Sequence, residues 1–412
     1  MHCRICETPI EPFISFGNMP IANGFLTPDA FAAEYFFELA TGFCPACGMV
    51  QLIDQPAREQ MFNEQYHFFS GTSTLMARHF QEFAATVRSG HLQGPDPFVV
   101  EIGSNDGIML QHFANAGIRH LGVEPSANVA AVAKAKGVNT VCSFFDDALA
   151  REIVAEHGQA DAFIAANVMC HIPYFHSIIA GIKTLLKPSG VVMFEDPYLG
   201  DVIERTSYDQ IYDEHVFLFS LRSISHAFEQ HGFELVDIAP QETHGGSMRY
   251  ILAYKGTRPV SDRLVRQRAK EETLGLHKAE TFAKFRSNCE RSRDALRAVL
   301  DQCSRDGKRV VGYGATSKST TVINYCGITP DHLAFISDTT PIKQGKFSPG
   351  AHIPVRPYAE FAQQYPDYAL LFAWNHSREI MAKEGPFRAA GGKWIVYVPE
   401  VKIIEGNSEV GQ

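Results

Sequence analysis

The first residues in the chain able to do chemistry are two tight cysteine pairs, Cys3-Arg4-Ile5-Cys6 and Cys44-Pro45-Ala46-Cys47. A C-x2-C turn sets two thiolates on one side of a metal ion, and a second such turn completes a tetrahedral four-thiolate site. The spacing predicts a structural zinc knuckle held by Cys3, Cys6, Cys44 and Cys47, with Gly48 easing the turn after the second pair. Sulfur would fill every position of such a site, so no position stays open for catalysis. A redox Cys-x-x-Cys calls for a single pair beside a strand–helix unit, which two pairs do not fit. His2 is expected to be solvated rather than a ligand. Cys142, Cys170, Cys289, Cys303 and Cys326 have no ligand spacing and read as small buried apolar residues.

A second constellation begins with Val99-Val100-Glu101-Ile102-Gly103-Ser104-Asn105-Asp106-Gly107. Glycines directly after a strand let a ligand approach the backbone, and the helix that follows offers its N-terminus to a polar group. About 20 residues on, the next strand ends in Gly122-Val123-Glu124-Pro125-Ser126, where an acid can accept hydrogen bonds from ribose hydroxyls. Dinucleotide-binding proteins use the same logic, but here the spacing is G-x-x-x-G rather than G-x-G-x-x-G. The loop resembles motif I of class I methyltransferases. That resemblance implies S-adenosylmethionine as cofactor, with Gly103, Ser104, Asn105, Gly107, Glu124 and Pro125 around it. Two further loops at strand ends belong in the same crevice. Phe144 and Phe145 fall on the adenine side, and Asn167, followed by His171, on the methionine side; each phenylalanine can equally be a core residue.

The third constellation is Tyr212-Asp213-Glu214-His215, followed at once by Val216-Phe217-Leu218-Phe219-Ser220. A tyrosine, two acids and a histidine side by side supply acid, base and orienting groups at one point. A lone histidine is usually structural, whereas one with Tyr212 and Glu214 beside it has the partners a perturbed base needs.

The elements that must hold these groups follow from periodicity. Short apolar runs at 98–102, 120–123, 162–166 and 190–195 read as buried parallel strands, the last preceded by a turn at Lys187-Pro188-Ser189-Gly190. A strand at 249–254 ends this unit, and a helix with Leu75, His79, Phe80 and Phe83 on one face precedes it. A polar helical stretch over 261–306 carries an apolar stripe of Phe285, Cys289, Leu296, Val299, Leu300 and Cys303. Strands at 308–314, 333–337, 369–374 and 393–398 then build a second α/β unit. Strands alternating with helices mean parallel sheets covered on both faces, so the fold class is α/β. The length of 412 residues calls for two or three domains. A net charge of -9 argues against a nucleic-acid or anionic-membrane surface. The start of the chain has no apolar signal region, and no apolar run reaches the roughly 18 residues that span a bilayer. The expectation is a cytoplasmic protein.

Tyr212-Asp213-Glu214-His215-Val216-Phe217-Leu218-Phe219-Ser220, the double C-x2-C and Glu101-Ile102-Gly103-Ser104-Asn105-Asp106-Gly107 together resemble the three-domain sugar C-methyltransferases of deoxysugar biosynthesis. Gly312-Tyr313-Gly314-Ala315 with Lys318, Asn324-Tyr325-Cys326-Gly327-Ile328 and Lys343-Gln344-Gly345-Lys346-Phe347-Ser348-Pro349-Gly350 are similar to that family's closing domain. Thr316-Ser317-Lys318-Ser319 departs from it, since smaller residues are expected around the lysine. The resemblance implies a zinc-binding domain at 1–70, a class I (Rossmann-like) methyltransferase domain at 71–256 and a Rossmann-like, nucleotide-sugar-binding domain at 257–412. It also implies a nucleotide-linked 4-keto-6-deoxyhexose as substrate, methylated at C-3 or C-5, and a monomer or small homo-oligomer.

Methylating carbon requires that a C–H proton leave first, which a neighbouring ketone makes feasible by delocalising the carbanion as an enolate. By resemblance, His215 is the base, with Glu214 and Tyr212 orienting it or the sugar. His171 and Tyr66 line the sugar pocket, and Lys318 and Asn375 meet the nucleotide sugar. The second glycine turn, at Gly312-Tyr313-Gly314, lacks a following acid in a ribose-binding context, so that unit reads as a clamp without its own cofactor. Three rivals differ in acceptor or activity. A zinc-knuckle RNA methyltransferase needs a basic stripe with interleaved aromatics. A small-molecule O- or N-methyltransferase shares the glycine loop, and a non-enzymatic binding protein would lack the 212–215 cluster.

Overall fold

The computed structural model of the protein describes residues 1–57, 61, 74–92 and 94–405. Tyr66 lies outside the described residues. The N-terminal region contains strands β1 (Pro12–Pro20), β2 (Phe36–Phe43) and β3 (Val50–Leu52). They pair antiparallel, and their sheet has a fourth member from far along the chain, as described below.

The next unit holds β4 (Phe98–Ile102), β5 (Arg119–Val123), β6 (Thr140–Val141), β7 (Ala160–Ala166) and β8 (Leu186–Pro197). Strand β9 (Phe217–Leu218) leaves this unit, and β10 (Phe233–Gln241) and β11 (Ser247–Tyr254) return to it. The seven-stranded order is β10-β11-β8-β7-β4-β5-β6. Neighbours from β8 to β6 run parallel, and β11 lies antiparallel between β8 and β10. Every residue of β4 is buried because both faces are covered. On one face the helix Thr74–His91 sets Phe80, Phe83, Ala84 and Val87 against Val99, Ala162, Ile164 and Met193. Alternate residues Val100, Ile102, Phe163, Ala165 and Phe194 face the other core.

Two local expectations change here. The turn at 187–190 is a bulge inside β8, since Leu186 pairs with Ala160 and Val191 with Ala162. The strand at β10 was not expected. Its sequence, Phe233-Glu234-Leu235-Val236-Asp237-Ile238, alternates imperfectly, and pairing with β11 at the sheet edge makes it a strand.

The helical stretch is two helices, Asp262–Leu274 and Ala279–Arg305, parted at Gly275, whose φ of 68° ends the first. The last unit holds β12 (Val310–Tyr313), β13 (Ile336–Asp338), β14 (Val355–Pro357), β15 (Tyr368–Leu371), β16 (Lys393–Val396) and β17 (Lys402–Ile404). Their order is β14-β13-β12-β15-β16-β17, parallel except for β17. Strand order reverses beside β4 in one sheet and beside β12 in the other, so each has a crevice at its carboxyl edge. No helix among the described residues is long and apolar enough to cross a membrane.

The units interlock through residues 208–218. Strand β9 is the fourth strand of the N-terminal sheet: Val50 pairs with Leu218, Gln51 with Phe217, and Leu52 N donates to Val216 O at 2.8 Å. From the other side, Trp374 Nε1 and Tyr397 Oη donate to Asp209 Oδ2 at 2.6 and 2.8 Å, and Thr321 Oγ1 donates to Ile211 O at 2.8 Å. Asp209 is fully buried. Asp209→Ala strands Trp374 Nε1, at about 1–3 kcal/mol, and leaves Tyr397 Oη only its longer bond to Phe372 O at 3.3 Å. It is expected to lower stability to urea unfolding by about 2–4 kcal/mol, with Asp209→Asn well below that because it keeps an acceptor.

Candidate active site

Four sulfurs meet beside the N-terminal sheet. Cys3 Sγ lies 3.5 Å from Cys47 Sγ and Cys6 Sγ lies 3.4 Å from Cys44 Sγ. All four lie within 4.8 Å of one another. Two turns of one design bring them there. Cys3 N donates to Thr8 O and Glu7 N to Cys3 O; Cys44 N donates to Met49 O and Gly48 N to Cys44 O. The residue after each pair turns left-handed, Glu7 with φ 57° and Gly48 with φ 78°. A non-glycine therefore fills the first turn. Four sulfurs at such spacing suit one tetrahedral ion of the zinc type. His2 is exposed, as expected, but so is Cys142, which was expected to be buried.

A cavity of about 580 Å³ opens where the carboxyl edges of both parallel sheets face each other. The glycine loop forms one wall. Gly103 has φ 58°, and a Cβ there would stand 2.3 Å from Val168 Cγ2, so the position admits only glycine. Glu124, buried at the end of β5, accepts Asn105 N on Oε2 at 3.0 Å and Ser126 N on Oε1 at 2.8 Å. The Ser126 side chain donates to it as well, and of the roughly four acceptor sites on a carboxylate this leaves room for a further donor. Burial raises the Glu124 pKa, opposed by those backbone donors. Pro125, Phe144, Phe145 and Asn167 also line the cavity, and the buried Asn167 Oδ1 has no partner among the described residues. A paired acid, a bare glycine backbone and an orphaned amide oxygen fit the ribose and amino-acid ends of S-adenosylmethionine. Ser104 and Gly107 stand behind this wall: Ser104 is buried against Gly122, and Gly107 packs on Val138 and Ala133.

The 212–215 turn faces that wall. His215 Nδ1 lies 2.7 Å from Gln210 O, which can only accept, so Nδ1 carries the proton and Nε2 is the free base. Tyr212 Oη, 2.8 Å from Nε2, then donates to it. The His171 ring stacks on His215 with centroids 5.3 Å apart. Burial pushes His171 down to about 4 and His215 well below the ordinary range, His215 also through its neighbour His171. Both rings are therefore uncharged at neutral pH. Glu214 accepts Asn23 Nδ2 at 2.7 Å, and burial raises its pKa to about 7. Asp213 accepts Ala22 N at 3.0 Å, and burial raises it to about 8.

The far wall belongs to the C-terminal unit. Lys318, with its first turn capped by Thr316, is buried rather than solvated; Nζ donates to His244 O at 2.9 Å, and burial lowers its pKa to about 8. Asn375 lines the cavity, whereas Trp374 turns its indole N–H to Asp209. Lys343 Nζ donates to Ala315 O at 2.7 Å, and burial lowers its pKa too.

The expectation that no acid follows the second glycine turn is overturned here. Asp338, at the end of β13, accepts Ala315 N on Oδ2 at 2.6 Å and Thr340 N on Oδ1 at 2.7 Å, which repeats the cradle of Glu124. The signal was present in Phe335-Ile336-Ser337-Asp338, an apolar strand ending in an acid. Asn23 carried no such signal, and although Lys343 heads the motif at 343–350, only the tertiary fold brings either residue to Glu214.

The chain is similar in sequence to known methyltransferases. A family model described as methyltransferase domain matches residues 29–238, and one described as C-methyltransferase C-terminal domain matches residues 242–399. The C-methyltransferase NovU of Streptomyces niveus is 33% identical over 411 residues, 98% of this chain and 97% of that protein. A ubiquinone biosynthesis O-methyltransferase of Burkholderia thailandensis is 27% identical over 175 residues, 40% of this chain and 75% of that protein. Among solved structures, the magnesium protoporphyrin IX methyltransferase of Synechocystis, with bound SAM, aligns at 16% identity and a TM-score of 0.34 over 43% of this chain and 79% of that one. Full-length similarity to NovU, with the matching C-terminal model, places this chain in the C-methyltransferase family, and it is an S-adenosylmethionine-dependent enzyme.

Proposed function

We propose that the enzyme methylates a carbon beside the ketone of a nucleotide-linked 4-keto-6-deoxyhexose, C-3 in the first instance. The observation that carries this reading is the joint wall of one cavity: a neutral histidine base with Tyr212 on one side, and Lys318, Lys343 and Asp338 on the other. A hydroxyl or amine acceptor needs little help to lose its proton, whereas a C–H needs a positioned base and a donor for the oxyanion. Buried lysines suit a diphosphate, and the Asp338 cradle suits the hydroxyls of a nucleotide's pentose.

S-adenosylmethionine, when bound against Gly103, Asn105, Glu124, Pro125, Phe144, Phe145 and Asn167, supplies an electrophilic methyl group. Tyr212 and His215 act as one base: the carbon-bound proton leaves toward this pair and comes to rest on His215 Nε2, while Gln210 O keeps Nδ1–H in place. The low proton affinity of the buried His215 keeps it unprotonated until substrate arrives. His171, uncharged, donates to the ketone oxygen as negative charge develops there, and Glu214 accepts from a sugar hydroxyl.

Removing a base costs about 10²–10⁴-fold and removing an oxyanion donor about 10²–10³-fold. His215→Ala is therefore expected to lose at least as much kcat as His171→Ala, with S-adenosylmethionine affinity intact in both. Near wild-type turnover in His215→Asn would remove His215 from the reaction. The assay is methyl transfer from labelled S-adenosylmethionine to nucleotide-linked 4-keto sugars, with an RNA and hydroxylated small molecules alongside. Transfer to either of the latter alone contradicts the sugar reading.

The four cysteines, in the same reading, hold a structural zinc that fixes the N-terminal sheet. Metal analysis is expected to give one zinc per chain. Cys44→Ser is expected to lose it and to lower kcat more than cofactor affinity, because the sheet reaches the 212–215 turn through β9. Protein free of metal with full activity would contradict this.

A further inference from the structure

Asn23 sits 191 positions from Glu214 in sequence, yet its Nδ2 donates to Glu214 Oε1 at 2.7 Å, and both line the cavity. The approach is braced on every side. Ala22 N donates to Asp213 Oδ1 at 3.0 Å, and Ala22 O accepts Thr320 Oγ1 at 2.8 Å. A tight turn closes behind it, with Gly24 N donating to Ile21 O at 3.0 Å and Phe25 N to Asn23 O at 2.9 Å. The Phe25 ring then lies 4.7 Å from Lys343 Nζ. One loop of the N-terminal unit is thus fastened to the catalytic turn, to the helix Ser317–Tyr325 and to Lys343 at once.

The type of residue matters. Among the described groups near Glu214, Asp213 is a second acid, Cys170 is a buried thiol, and Lys343, whose charge lowers the Glu214 pKa, already spends a bond on Ala315 O. A primary amide gives Glu214 a directional donor without adding charge. It occupies one of roughly four acceptor sites on the carboxylate and leaves the rest for a ligand.

We propose that Asn23 is a positioning residue for the reaction: its amide holds the Glu214 carboxylate as the acceptor for a hydroxyl of the bound sugar, so the cysteine-bearing unit completes the catalytic site. The proposal rests on the keto-sugar reading for what Glu214 grips, but not for the Asn23–Glu214 bond itself. A donor on a carboxylate favours its charged form. The charged carboxylate is the stronger acceptor, and protonation turns one of its oxygens into a donor, so activity should fall as pH drops through about 7, to which burial raises its pKa. Loss of the donor raises that pKa and moves the acid limb upward.

The test is a double-mutant cycle of Asn23→Leu with Glu214→Gln, with Asn23→Asp as an isosteric second variant. Asn23→Leu should lower kcat/KM about 10–100-fold, the worth of a hydrogen bond to a charged group. It should also move the acid limb upward and leave S-adenosylmethionine affinity unchanged. In the Glu214→Gln background the same change should have little further effect, and the limb near pH 7 should be gone. Asn23→Asp should move the limb furthest, since two carboxylates then share the site. Additive effects in the cycle, or an unmoved limb, overturn the proposal. Infrared titration of the Glu214 carboxyl in the enzyme without sugar, with Glu214→Gln as the blank, decides the same point independently. Its midpoint should rise in both Asn23 variants, and an unchanged midpoint overturns the proposal even where wild-type enzyme turns over no keto sugar, an outcome that by itself overturns only the substrate reading.

Discussion

Burial of a polar run sets the terms for the whole molecule. Asp209, Gln210, Asp213, Glu214 and His215 fall within seven consecutive positions, and each is at most 5% exposed. Burying such groups costs several kcal/mol each unless partners answer them. No single unit supplies those partners. The C-terminal unit answers Asp209 with Trp374 and Tyr397, and Ile211 O with Thr321. The N-terminal loop answers Asp213 with Ala22 and Glu214 with Asn23. The turn answers His215 from within, through Gln210 O and Tyr212. The N-terminal and C-terminal units therefore meet at this turn, each supplying hydrogen-bond partners that the turn does not supply itself.

The same burial prepares the chemistry. Low dielectric disfavours charge, so His171 and His215 stand neutral while Glu214 and Asp213 are pushed toward neutral pH. A neutral histidine with Nδ1 committed to a carbonyl presents its basic nitrogen in one direction only. Its tautomer follows from a single backbone oxygen, Gln210 O, and the next oxygen along, Ile211 O, is held by Thr321 of the helix Ser317–Tyr325. Folding energy and catalytic geometry are here one set of contacts.

Legibility in the sequence followed locality. The parallel strands β4, β5, β7 and β12 were readable, because a strand buried on both faces is a continuous apolar run. The cysteine pairs, the glycine loop, Glu124 and the 212–215 turn were readable because each is a short motif with its own chemistry. Strand β9 was not, since two residues of an apolar stretch become a strand only when β3 lies beside them. Lys318 was named from the resemblance alone, and only the packed interface shows it buried against His244. Asp338 was legible in principle, as an acid directly after the apolar run at 333–337. Asn23 was illegible, since nothing within its own neighbourhood hints at a carboxylate 191 positions away.

Carbon acidity is the centre of the account, and proton exchange reads it without methyl transfer. Enzyme would be incubated with a nucleotide-linked 4-keto-6-deoxyhexose in D2O, with S-adenosylhomocysteine replacing the methyl donor, and deuterium at the carbon beside the ketone followed by NMR. The account predicts exchange at that carbon in the wild type and exchange at least about 100-fold slower in His215→Asn. Equal exchange in the two proteins, or none in a wild type that methylates the same sugar, would contradict it.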